Sequence, residues 1–249
     1  MSQATGQNFS ARVAYDGTNY AGFQLQTNAG TIQGELERSL AELAGEEIRV
    51  HGASRTDAGV HAIGQVISFK GVKLPAADEI ESALSTMLPP DIRVSSVHER
   101  ADDFNARYST AGKIYAYRIF RSEIQSPFLS RYSHWIRRDL SLELMAESAS
   151  LFEGEFDFSS FSSRLNEGEN PVKRIDRVEI RERGEILSIE CDGTGFLYQM
   201  VRRITGAVID VGLDKVSIDE VARWIREPEI GLSKTVAPAK GLFLMEIRY

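Results

Sequence analysis

The chain has 249 residues, a net charge of −7 and one cysteine, Cys191. That length suits one large domain or two small ones, and 42% hydrophobic with 26% charged residues is the balance of an ordinary buried core. A lone cysteine excludes an internal disulfide framework and a paired-cysteine zinc site. No run reaches the roughly 18 apolar residues of a membrane span. Residues 1–8 are polar and lack a basic-then-apolar signal pattern, so a soluble cytoplasmic protein is expected.

Alternation of Phe9, Ala11, Val13 and Tyr15 with Ser10, Arg12 and Ala14 predicts a half-buried strand. Thr31 can cap a helix through Ile32, Leu36, Leu40 and Leu43, which Gly45 ends. Strands are predicted at 47–52 and 62–69. A second helix is predicted over about 76–88, with Ile80, Ala83, Leu84, Met87 and Leu88 on one face. Pro89-Pro90 stops it, because proline disfavours helix in the residue before it and cannot donate. Ile92, Val94 and Val97 suggest a last strand. This order, β-α-β-β-α-β, is the ferredoxin-like pattern.

The second half repeats the order loosely. Residues 113–121 alternate as a strand with Tyr115, Tyr117 and Ile119 on one face, and 134–136 extend the sheet. Ser141 precedes a helix through Leu142, Met145, Ala149 and Phe152. Strands are predicted at 175–182 and 186–192, helices near 196–211 and 218–226, and a closing strand at 242–249. The expected fold is α/β (α+β): two ferredoxin-like, RRM-like halves, 1–104 and 105–249. Each has a mixed, mostly antiparallel sheet flanked by helices, and a central cleft is the default site.

The acidic total argues mildly against nucleic acid, but the charge is uneven. Residues 105–140 hold seven basic side chains (Arg107, Lys113, Arg118, Arg121, Arg131, Arg137 and Arg138) against Glu123 and Asp139. Further basic runs follow at Lys173, Arg174 and Arg177 and at Arg202-Arg203. Each run alone reads as a solvated face; together they are compatible with a positive groove.

The densest chemistry lies at 53–62, Ala53-Ser54-Arg55-Thr56-Asp57-Ala58-Gly59-Val60-His61-Ala62. A loop between strands can present polar side chains at a fixed position. Asp57 alone reads first as a turn former. Arg55, two residues away, can pair with a carboxylate, and Gly59 permits a tight turn or a close ligand approach. No clustered carboxylates or cysteines suggest a metal site or a metal-dependent nuclease.

This string resembles the signature of the tRNA pseudouridine synthase A (TruA) family. Other matches follow in the family's order. They are Tyr15-Asp16-Gly17-Thr18 with Tyr20-Ala21-Gly22-Phe23-Gln24, Phe104-Asn105-Ala106-Arg107, Lys113-Ile114-Tyr115-Ala116-Tyr117, residues 156–161, residues 196–206 and Gly241-Leu242-Phe243-Leu244. Ser54, Phe23 and Asn105 stand where many members have glycine, tryptophan and histidine. Asn105 thereby keeps hydrogen bonding but gives up a titratable group.

The resemblance implies an isomerase that converts uridine to pseudouridine at positions 38, 39 and 40 of the tRNA anticodon stem-loop. It implies a homodimer with no cofactor and no metal. Asp57 would be the catalytic carboxylate, attacking C1′ or taking a sugar proton so that a glycal forms; both routes need an ionised oxygen. Arg202 would match the arginine that pairs with this aspartate. Tyr115 would stack on the uracil, and Arg55 would help flip the nucleotide and fill its place. Asp16 and His61 would support the loop, though turn chemistry and a satisfied strand-start histidine explain them equally well. Tyr117 and Cys191 read as core. A pseudouridine synthase for another tRNA position or another RNA, or a catalytically silent RNA-binding module, are the alternatives.

Overall fold

The computed structural model describes residues 6–249, and most of the polar start of the sequence lies outside the described residues. Two compact units emerge. One runs to Ala111 and includes Leu244–Tyr249; the other is Gly112–Phe243. The first unit thus takes in 105–111 and the chain's last residues, beyond the 1–104 read from the strand order.

In the first unit, strands β1 (Gln7–Tyr15), β2 (Val50–Gly52), β3 (His61–Gly71) and β4 (Ile92–Arg100) alternate with helices α1 (Ile32–Ala44) and α2 (Ala77–Met87). β1 lies between β4 and β3, and β2 pairs with β3 at Val50–Gly52 against Phe69–Ile67, all antiparallel. This is the β-α-β-β-α-β arrangement that the periodicity predicts. The Thr31 side chain accepts from the Gly34 N–H at the start of α1, and Gly45 ends it in the left-handed conformation (φ 64°). Ile32, Leu36 and Leu40 on α1 and Ile80 and Leu84 on α2 are fully buried, each burial contributing roughly 1.5–3 kcal/mol.

β1 is half-buried from Ala11 to Tyr15, as its alternation suggests, but not in its first part. Ser10 and Asn8, on the polar side, are buried as well. Segment 101–106 covers that face: Asn8 donates to the Ala101 and Phe104 carbonyls, and the Arg100 guanidinium donates to Ser10 Oγ. The buried polar groups are satisfied locally, so polarity in the sequence did not mean solvent. The chain's last strand also lies along β3. A Cβ on Gly64 would sit 2.2 Å from the Met245 carbonyl oxygen, so only glycine allows that approach.

The second unit contains β5 (Gly112–Phe120), β6 (His134–Trp135), α3 (Leu142–Ser150), β7 (Gly154–Asp157), β8 (Val172–Arg183), β9 (Ile186–Gly193), α4 (Met200–Gly212), α5 (Ile218–Arg226) and the start of β10 (Leu242–Arg248). The strand order is β5-β9-β8-β7, antiparallel throughout, with β6 parallel to the end of β5. β7 escapes the sequence reading, being short and embedded in a Phe-rich run. α4 starts at Met200, later than expected, because Gln199 takes a left-handed conformation (φ 58°) that a helix cannot include.

Candidate active site

The loop joining β2 to β3 carries Arg55 and Asp57 and leads into His61 at the start of β3, and several of its backbone groups are tied down. Ala53 N–H donates to the Val66 carbonyl at 2.8 Å. Gln65, fully buried on β3, holds Ser54 from both sides: its Oε1 accepts the Ser54 N–H at 3.1 Å, and its Nε2 donates to the Ser54 carbonyl at 2.7 Å. Thr56 Oγ1 shares a buried 2.7 Å hydrogen bond with the Tyr15 hydroxyl, and its carbonyl accepts from Phe23 N–H. The Asp57 carbonyl accepts the Val60 N–H across a turn in which Gly59 has φ 75°. Asp57 itself is partly exposed. These bonds fix the backbone on either side of Asp57.

The turn after β1 packs directly on this loop. Asp16 Oδ1 accepts the Thr18 N–H at 3.0 Å and the Thr18 hydroxyl at 2.5 Å, capping a short 3-10 turn. His61, 1% exposed, brings Nδ1 to 3.1 Å from both Gly17 N and Asp16 Oδ1. One nitrogen cannot accept from Gly17 and donate to Asp16 together. With a neutral imidazole Nδ1 accepts the Gly17 N–H, and with a protonated one it donates to Asp16; either way His61 is joined to the turn after β1. A Cβ on Gly17 would come within 2.0 Å of the Val60 carbonyl oxygen, and one on Gly22 (φ 100°) within 2.7 Å of the Thr56 carbonyl oxygen. Both glycines let the two loops touch. The turn chemistry of Asp16 and the satisfied histidine are therefore also what links the first motif to the second.

Arg55 makes no ion pair among the described residues. The charge that acts on it most is Arg107, and its pKa lies below the usual arginine value through partial loss of solvent and then that repulsion. The two-residue spacing to Asp57 does not produce the pairing that it suggests.

In the second unit, Tyr115 sits on β5 opposite Cys191, 6% exposed, with Phe196 edge-on at 5.4 Å. Tyr117 is wholly buried; its hydroxyl donates to the Pro238 carbonyl at 3.0 Å, and a Cβ on Gly241 would strike its ring. It is the core residue that its position suggests. Arg202, in the first turn of α4, donates from Nε to the Ala237 carbonyl at 2.8 Å. Its charge is felt by Tyr117 and Arg203. Cys191 is buried, which pushes its thiol up to about 12.

The basic runs are less positive than their count. Arg174 pairs with Asp176 at 2.7 Å, Arg177 with Glu179 and Glu190, and Arg181 with the same two acids. Arg137 pairs with Glu123, and Arg121 with Glu182. Among the described residues, no group of three or more His, Cys, Asp or Glu side chains could hold a metal ion, and no helix is long and apolar enough to cross a membrane.

Sequence reasoning missed Gln65, Gly17, Gly22 and the Tyr15–Thr56 bond. Gln65 carried a signal, a polar side chain in an otherwise apolar buried strand. Contacts between two separate loops left none.

Comparison with known proteins places the chain in a family. The family model described as tRNA pseudouridine synthase matches residues 11–109 and 148–249. A tRNA pseudouridine synthase A of Acetivibrio thermocellus is 40% identical over 98% of this chain and 100% of its own length. One of Geobacter sulfurreducens is 40% identical over 94% and 96%. A tRNA pseudouridine synthase A 2 of Bacillus cereus is 34% identical over 97% and 99%. With half of the chain and more matched by the family model, and relatives above 30% identity along its length, the chain belongs to the tRNA pseudouridine synthase family.

Proposed function

We propose that this member of the family isomerises uridine at positions 38, 39 and 40 of the tRNA anticodon stem-loop, with Asp57 as the catalytic carboxylate. The N1–C1′ bond breaks, the uracil turns, C5 bonds to C1′, and the hydrogen on C5 leaves as a proton while N1 gains one. The carboxylate acts on the sugar, either at C1′ or by taking a sugar proton. Tyr115 lies against the uracil, Arg202 is the counter-charge to the carboxylate, and Arg55 takes the place of the flipped nucleotide. Asp16 and His61 act on the loop, not on the RNA. The protein works in the cytoplasm as a homodimer, without metal or cofactor.

The observation that carries this reading is the bracing of the Asp57 loop. Gln65, Tyr15, Phe23 and the Gly17 turn all bond to the carboxylate-bearing loop or to the strand start that follows it. The test is tRNA carrying tritium at uracil C5, because the new carbon–carbon bond expels that hydrogen. Tritium release that falls at least ~1000-fold in Asp57→Asn is expected. Release unaffected by the substitution would overturn the site, and mapping the modified nucleotide to another position would overturn the substrate.

A further inference from the structure

One positive cluster escapes the local neutralisation seen on β8. Beside the Asp57 loop lies a cavity of about 180 Å³ whose polar lining is Gln24, Gln33, Arg49, His51, Arg55 and Arg107. Gln33 is fully engaged, with Gln24 and Leu25 N–H on its oxygen and Glu37 and the Val50 carbonyl on its nitrogen. Arg49 is answered by Glu37 at 3.3 Å. Arg55 and Arg107 have no such acid among the described residues, and they repel each other.

Arg107 is held there deliberately. Asn105 Oδ1 accepts both the Arg107 and Tyr108 N–H groups at 2.9 and 3.3 Å, and Ala106, fully buried, donates to Ser68 Oγ and accepts from Thr110 and Tyr249. The Arg107 guanidinium lies 5.8 Å from the centre of the Tyr108 ring, which is 81% exposed. Two forked cations with no acid, both lining one cavity, suit a phosphodiester, which a guanidinium can grip in two hydrogen bonds. An exposed flat ring beside them suits an unstacked base.

We propose that Arg107 and Tyr108, beside Arg55, form a second nucleotide subsite on the RNA, with a backbone phosphodiester on the Arg107 guanidinium and its base on the Tyr108 ring. The subsite rests on the proposed RNA substrate. It serves a nucleotide beside the one whose place Arg55 takes. Asn105 is its positioning residue.

The test measures binding of unmodified tRNA transcript in the Asp57→Asn background, so that turnover does not intervene. Arg107→Gln lowers the slope of log affinity against log salt by about one. Tyr108→Ala weakens binding by about tenfold, whereas Tyr108→Phe keeps the ring and restores it. Both side chains are exposed, so melting curves stay as in the parent protein. Unchanged affinity and slope in Arg107→Gln and Tyr108→Ala would overturn the subsite. Pseudouridine formation by the unsubstituted protein is scored separately, so failure of the proposed function is told apart from failure of the subsite.

Discussion

The loop at 53–62 and the strand that carries Tyr115 hold their side chains by different forces. In the loop, Ser54, Thr56 and Asp57 are fixed by hydrogen bonds to Gln65, Tyr15, Phe23 and Val60. On β5, Tyr115 and Tyr117 are held mainly by burial, against Phe196 in one case and over Gly241 in the other, with a single hydroxyl anchor from Tyr117 to Pro238. Hydrogen bonds are directional and act over tenths of an ångström, so a loop made of them can aim a carboxylate. Apolar packing excludes water and fixes a ring, but it tolerates small shifts better. Changes in the first region should therefore appear in the reaction, and changes at Tyr117 in stability.

The sharpest way to break that contrast is Gly17→Ala. The added methyl would meet the Val60 carbonyl at 2.0 Å and push the Asp57 turn away. A fall of about 100-fold in kcat is expected, as for a displacement near 1 Å at a reacting group. An active variant would show that the turn does not set the position of Asp57. Gln65→Leu comes next. It removes the bonds from Gln65 to the Ser54 N–H and carbonyl, which should cost about 2 kcal/mol in urea unfolding and lower kcat as well. A stability loss without a kcat change would separate bracing from catalysis.

Tyr117→Phe probes the other side. It removes the hydroxyl that reaches Pro238 and should cost about 1 kcal/mol, with kcat unchanged. The smallest effect concerns His134. Burial, and then the charge of Lys240, holds its pKa below the ordinary histidine value. As pH falls, the unfolded chain takes up the proton first, so this stability is present above the unfolded pKa and is lost on acidification. His134→Gln should flatten the melting temperature profile between about pH 7 and pH 5. An unchanged slope would move the cause to another group.

The strand and helix order of the first unit was legible because periodicity reports burial of one face, and Thr31 and Gly45 mark helix ends by local chemistry. The same logic failed at Ser10, where a face that reads as solvent is covered by 101–106. It also failed at Gln199, whose left-handed backbone delays α4. The loop motif placed Asp57 between two strands. It did not show that Arg55 answers to Arg107 instead of Asp57.

By itself the sequence determined which residue types are available: a carboxylate, an arginine and a histidine around a glycine-containing loop, set among other family motifs in order. Only the tertiary structure decided which of them meet. Gly17 and Val60 are far apart along the chain and touch only because β1 and β3 pair side by side. Arg174 and Arg177 lose their weight as a basic run because acids on β8 and β9 lie beside them. Contact depends on pairing register and close packing, which link residues that no local pattern connects.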